Sequence, residues 1–247
     1  MLVHLSDTRN HLNQKEKEET IMRGVVALQT NTNNAKSAGG YSSFKRCLDI
    51  LFALMFIIAL SPVMVIVAIV SAIDTKGSPI FVQDRMGRFD TPFKIYKFRT
   101  MSVLAPANMA THKLENPEQY ISRVGGLLRR MSLDELPQLF NVLKGDMSFV
   151  GPRPVVLSER DLLRLRHRNG ASRVRPGITG LAQVSGRDTV TVYEKARLDS
   201  EYAKSYSLKE DMSILVKTAM QVIHSEGIVE GANAEISAAP AKTRHSA

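Results

Sequence analysis

One stretch limits what this chain can become: L-D-I-L-F-A-L-M-F-I-I-A-L-S-P-V-M-V-I-V-A-I-V-S-A-I, residues 48–73, with Asp49 as its only charge. As a continuous helix of roughly 26 residues it reaches about 39 Å, enough to cross a hydrocarbon core of roughly 30 Å. Ser61-Pro62 divides the run into two halves. Proline removes a backbone hydrogen bond and crowds the preceding turn, so a sharp bend is available there. Each half reaches only about 18 Å, which suits a segment that enters the bilayer and turns back. Lys36, Lys45 and Arg46 precede the run; Lys76, Arg85, Arg88, Lys94, Lys97 and Arg99 follow it. Lys and Arg gather on the cytosolic side of membrane segments, so basic flanks at both ends favour two cytosolic ends. A kinked single span is the alternative. The expectation is a re-entrant helix-break-helix over residues 41–75, bent at Ser61 and Pro62, with Cys47 as small apolar filler at its mouth.

The remainder reads as a soluble body, residues 76–227, between two tails. Residues 1–40 contain no Phe, Tyr or Trp, and residues 228–247 are rich in Ala and other small side chains. Such segments bury too little apolar area to offset the entropy of ordering, so both are expected to be disordered. No apolar stretch follows a basic start, so residues 1–40 are not a secretory signal. Within the body, 80–83 and 93–101 read as short strands, with Gly87 and Pro92 as breakers. Residues 117–130, 136–144, 158–168, 194–205 and 209–224 read as helices. Residues 176–186, with Gly177, Gly180 and Gly186, read as loop or short strand. Helix outweighs strand, and the fold class is a helix-rich α+β body held on a membrane.

The formal charge is +9 and the pI about 9.7. A basic balance of this size implies an anionic partner: nucleic acid, acidic lipid or a phosphorylated small molecule. Aromatics are 6% and Trp is absent, which is thin for stacking bases, so nucleic acid is set aside. A single cysteine excludes an intrachain disulfide and a Cys-based zinc cluster, and fits a reducing compartment. The six His show no H-x₃-H spacing.

Chemistry concentrates in R-R-M-S-L-D-E-L-P-Q-L-F-N-V-L-K-G-D-M-S-F-V-G-P-R-P, residues 129–154. Ser132 and Glu135 fit an S-x-x-E capping box, which would make Asp134 and Glu135 ordinary first-turn acids. Pro137 offers a second version, a helix starting near Leu136 with both acids in the turn ahead of it. Either way the acids sit at a helix N-terminus, where free N–H groups and the dipole favour carboxylates and phosphate. Adjacent ionised acids beside a phosphate site suggest Mg²⁺, which takes one or two carboxylates plus phosphate oxygens. An ionised Asp facing a metal-held phosphate can act as a nucleophile and form an aspartyl phosphate. Lys97 and Arg99, two apart in a strand, would share a face. Arg153 stands between two prolines that stiffen its backbone. Arg85, Arg173, Arg175 and Arg187 add to the supply of cations.

These residues resemble those of the bacterial sugar transferases, the monotopic polyprenyl-phosphate phosphoglycosyl transferases of exopolysaccharide, capsule and O-antigen assembly. The matching pieces are K-R-C-L-D (45–49), Ser61-Pro62, G-S-P-I-F-V-Q-D-R-M-G (77–87) and F-K-I-Y-K-F-R-T-M (93–101). The S-L-D-E-L-P-Q to G-P-R-P stretch (132–154), P-G-I-T-G-L-A-Q-V-S-G-R (176–187) and D-S-E-Y-A-K-S-Y-S-L-K-E-D (199–211) continue them in order. Phe140 stands where many members carry Trp, and Gly126 replaces a commonly larger residue. A polar tail stands where larger members carry a multi-helix membrane domain, as in the short form, and P-G-I-T-G-L-A-Q-V-S-G-R (176–187) is similar to the exopolysaccharide branch.

The resemblance implies a body on the cytosolic face of the bacterial inner membrane, acting on a UDP-sugar and undecaprenyl phosphate. Asp134 would attack the sugar-proximal phosphate, releasing UMP, and the lipid phosphate would then take the phosphosugar, a hexose phosphate being favoured. Glu135 would partner Asp134 and help hold Mg²⁺. Lys97, Arg99, Arg153 and Arg187 match positions serving phosphate or nucleotide, with Arg85 and Gln138 as further substrate-binding candidates. Homo-oligomerisation is left open. Rival readings are a non-catalytic basic membrane adaptor, a membrane-tethered nucleic-acid binder, and a metal-dependent transferase without a covalent step.

Overall fold

A computed structural model of the chain describes residues 38–105, 116–186 and 190–224. The expected tails, apart from residues 38–40, fall outside this range, as does Arg187. The apolar run lies in α1, Ala38–Thr75, one uninterrupted helix with Pro62 inside it. On this point the helix-break-helix expectation is corrected: helical backbone continues through Ser61-Pro62. Proline's missing N–H deprives the Ile58 carbonyl, four residues back, of its helical donor. Ser61 Oγ donates to that carbonyl at 2.8 Å. The residue before the proline thus supplies the bond the proline removes, which matters most where no water can do so.

Most of α1 is uncovered: Leu51, Ile58 and Ile73 are 61%, 66% and 73% exposed. The helix is long and apolar enough to cross a membrane, and so large an exposed apolar surface calls for lipid around it. One face is buried against the body, at Asp49, Ala53, Val67, Ser71 and Thr75. The steps of four within 49–53 and within 67–75 put neighbours on one side of the helix. Ala53 shares a core with Ile95, Val142 and Met147, and Val67 shares one with Phe98 and Leu128. Polar ties reinforce both ends. Arg46 donates to the Val142 and Leu143 carbonyls at 2.6 and 2.9 Å. Asp49 accepts from Ser148 Oγ at 3.0 Å and Phe149 N–H at 3.2 Å. Ser71 Oγ donates to the Arg99 carbonyl at 2.7 Å.

The body begins with an antiparallel hairpin, β1 (Ile80–Met86) and β2 (Pro92–Phe98), in register from Ile80 opposite Phe98 to Met86 opposite Pro92. The single helix expected over 117–130 is instead a 3-10 turn, Pro117–Tyr120, followed by α2, Arg123–Arg130. Ser122 restarts the helix, its hydroxyl accepting from Gly125 N–H at 2.8 Å. After the short α3, Gln138–Lys144, Gly145 takes φ 97 and ends it. β3 (Ser148–Val150) then pairs in parallel with β4 (Gly177–Thr179). Four helices complete the body: α4 (Arg160–Asn169), α5 (Leu181–Gly186), α6 (Val192–Ser205) and α7 (Leu208–His224). Asp211 ties α7 to α1, accepting from Tyr41 Oη at 2.7 Å and pairing with Lys45.

The 176–186 stretch, expected as loop or strand, is β4 followed by α5. Its glycines serve close backbone approach rather than a loop. A Cβ on Gly177 would lie 2.1 Å from Gly151 N, and one on Gly180 2.1 Å from Gly151 O. This contact seats the G-P-R-P turn on β4. Gly177→Ala should force the two backbones apart and lower stability by about 1–3 kcal/mol, read as a reduced thermal midpoint in detergent.

Candidate active site

The dyad sits in a turn shaped by Ser132, which adopts the left-handed conformation, φ 56 and ψ 19, and caps nothing with its side chain. One 3-10 turn follows, Leu133–Glu135, and Pro137 leads directly into α3. The S-x-x-E capping box is therefore not formed. The second version holds, with both acids in the turn ahead of the helix. A carboxylate that can bond to two cations gains more than one reaching back to a backbone N–H. Glu135 Oε1 accepts from Lys97 Nζ at 2.6 Å and from Arg153 Nη2 at 2.8 Å.

Each of those cations is held from behind. Lys97 is fixed by the hairpin register opposite Phe81. Arg153 has its carbonyl bound by Arg166 Nη1 at 2.8 Å, and Arg166 Nε is bound by buried Asp199 at 2.8 Å. Arg85 braces the same turn, donating to the Pro154 carbonyl at 3.1 Å and to Gln83 at 2.9 Å. Burial pushes the Arg85 guanidinium down to about 10, with the charge of Arg153 adding to the effect.

The two acids are driven apart. Burial acts to raise both. For Glu135, Arg153 and Lys97 outweigh burial and hold the carboxyl well below the usual range. For Asp134, burial prevails over Lys97, and the Glu135 charge beside it pushes the same way, so its carboxyl lies above the usual range. Adjacent carboxylates separated in this way divide the labour: one is a fixed anion, the other a more basic group suited to attack.

Both acids line a cavity of about 500 Å³. Lys97, Arg129, Arg153, Arg166 and Lys195 supply its cations, and Phe56 and Leu60 of α1 form part of its apolar wall. Four of the expected site residues thus come together: Asp134, Glu135, Lys97 and Arg153. Three others do not line the cavity. Arg85 is the brace just described. Arg99 lies beyond the last residue of β2, so strand alternation no longer sets its direction; its Nε donates to the Ser78 carbonyl at 2.9 Å. Gln138 is buried in the interior, 1% exposed. Arg187 lies outside the described residues. The sequence reading missed Arg129, Arg166 and Lys195 in this role. For Arg166 a signal existed in its partner Asp199, which opens the D-S-E-Y motif. Nothing in the sequence separates Phe56 and Leu60 from their lipid-facing neighbours.

Among the described residues no three His, Cys, Asp or Glu stand together. The donor set of Asp134 and Glu135 is two carboxylates lining that cavity. That matches Mg²⁺, which shares its coordination among protein acids, phosphate oxygens and water.

A helix-rich α+β body with one long apolar helix and a cation-lined cavity beside an acidic pair is the class this fold and cavity define. The chain belongs to the bacterial sugar transferase family, whose match covers residues 40–225. It is 37% identical over 213 residues to the exopolysaccharide production protein ExoY of Sinorhizobium fredii, covering 79% of this chain and 92% of that protein. It is 38% identical over 221 residues to the undecaprenyl-phosphate galactose phosphotransferase of Salmonella typhimurium, covering 82% of this chain. It is also 38% identical over 189 residues to the UDP-glucose:undecaprenyl-phosphate glucose-1-phosphate transferase of Escherichia coli, covering 72% of this chain. The chain spans only 45% and 39% of the length of those two phosphotransferases.

A depressed folded-state value means that Glu135 contributes stability above its unfolded value of about 4.3 and loses it as pH falls. Glu135→Gln should therefore melt below wild type near neutral pH, with the gap closing on acidification below about pH 4. Thermal scans of both proteins across that range check the sign.

Proposed function

We propose that this chain transfers a hexose 1-phosphate from a UDP-sugar to undecaprenyl phosphate and releases UMP. The observation that carries the reading is the split carboxylate pair in a cavity walled by both phosphate-binding cations and side chains of the apolar helix. A polar phosphate donor and a lipid acceptor need such a meeting place. Galactose and glucose are the sugars named for the two phosphotransferase relatives, and the ExoY name supports a place in exopolysaccharide production.

In the first half-reaction an Asp134 oxygen bonds to the sugar-proximal phosphorus. The bond from that phosphorus to the bridging oxygen breaks, and UMP departs with that oxygen and its electron pair. In the second, an oxygen of the lipid phosphate bonds to the same phosphorus and the aspartyl oxygen leaves as carboxylate. Lys97 and Arg153 stay on Glu135 throughout and keep positive charge beside the transferring group. Asp134 and Glu135 would hold Mg²⁺, which when bound neutralises phosphate charge.

Donor alone should release about one UMP per active site and leave a phosphosugar adduct visible in the intact-protein mass. Asp134→Asn should abolish adduct and turnover, and EDTA should suppress UMP release until Mg²⁺ is restored. Transfer by the Asn variant at a substantial rate would replace the covalent route with direct attack by the lipid. A fully functional Asp134→Ala protein would favour a non-catalytic adaptor.

The proposal includes a re-entrant α1 on the cytosolic face. Support comes from Asp49 and Ser71, which lie about 33 Å apart along a straight helix yet bond to one body. A crossing helix would separate them by the roughly 30 Å hydrocarbon core. Cys47 and a cysteine introduced at Lys76 should both be labelled only from the cytosolic side of intact cells. Labelling from opposite sides would restore a simple span.

A further inference from the structure

The five cations lining the cavity are engaged in different ways. Lys97 and Arg153 bond to Glu135, Arg166 bonds to Asp199 and to the Arg153 carbonyl, and Arg129 acts electrostatically on Asp134. The ammonium of Lys195 makes no hydrogen bond or ion pair among the described residues; its charge is felt by Asp199, where Arg166 is the stronger influence. Its neighbour one turn along α6, Asp199, is closed off by Arg166, whose Nε and Nη2 both reach Asp199 Oδ2, at 2.8 and 2.6 Å. Lys195 also approaches from a separate wall. α6 packs on α4 and α5, whereas the dyad turn packs on β2 and α2.

Displacement at phosphorus places the entering and leaving oxygens roughly in line. With Asp134 as one of the two, the other lies across the phosphorus from the dyad. In the first half-reaction that group is the departing nucleotide phosphate, which gains charge as the bridging bond breaks. In the second it is the arriving lipid phosphate, which must occupy the same place to attack in line. One cation on the far wall serves both.

We propose that Lys195 is the phosphate subsite opposite Asp134, holding the UMP phosphate as it leaves and the undecaprenyl phosphate as it arrives. The assignment rests on the sugar-phosphate transfer reading and adds a residue to it. Its role is to bind: no bond to Lys195 forms or breaks.

The test compares the affinities of UMP and uridine for the full-length protein in detergent, by calorimetry, since the two ligands differ only in the phosphate. Wild type should prefer UMP. Lys195→Met should cut the ratio of UMP to uridine affinity roughly tenfold or more, while Lys195→Arg should keep most of it. Lys195→Gln substitutes if the Met variant does not fold. A matched slowing should follow when preformed adduct is discharged by undecaprenyl phosphate in a single turnover. A merely structural lysine would weaken both ligands together and leave the ratio at its wild-type value, and that result would overturn the assignment. A wild-type protein that binds neither UMP nor uridine would sink the underlying transfer reading instead.

Discussion

Glu135 holds an ionised carboxylate between Lys97 Nζ at 2.6 Å and Arg153 Nη2 at 2.8 Å, and much of the body is arranged so that this can happen. The hairpin brings Lys97 in. The close contact of Gly151 with Gly177 and Gly180 seats the Pro-Arg-Pro turn, and Arg166, fixed by Asp199, grips its carbonyl. Removing water from two adjacent acids is costly unless at least one is paired. Pairing Glu135 twice meets that requirement and leaves Asp134 as the more basic partner.

The same economy runs through α1. A helix that turns most of its side chains toward lipid cannot rely on a conventional core, so it is fastened by a few polar ties on one face. Asp49, the lone charge of the apolar run, is the clearest example: its carboxylate receives a hydroxyl and a backbone N–H of β3. Two of the residues on α1, Phe56 and Leu60, reach the cavity that holds the acidic pair. The membrane segment is therefore part of the site's wall as well as an anchor, which explains why one cavity combines arginines with phenylalanines.

Elements with a strong local signal were readable in advance. The apolar helix, the two hairpin strands and the helices from α3 to α7 other than α5 followed from periodicity and breakers, with boundaries shifted by a few residues. α5 was hidden because glycines that serve backbone contact look like loop glycines in a sequence. The capping box failed for a different reason. Ser132 and Glu135 have the right spacing, but cap or ion pair is decided by Lys97 and Arg153, which lie 38 and 18 residues away. Arg99 is expected on the face of Lys97 by strand alternation, but the strand ends one residue before it, and Gln138, a substrate-binding candidate, opens a helix with its side chain in the interior.

By itself the sequence determined that the chain carries a membrane helix with a Ser-Pro centre, that an acidic pair stands ahead of a proline-started helix, and that cations cluster near glycines and prolines. Each of these depends on neighbours within a turn or two, where spacing sets geometry. Only the tertiary structure decided which cations meet the acids, which acid stays charged, and that Lys195 and Arg166 belong to the cavity. Those outcomes depend on burial and on distances between elements far apart in the chain. A charge's behaviour is set by the dielectric and partners around it, and neither is encoded in local spacing.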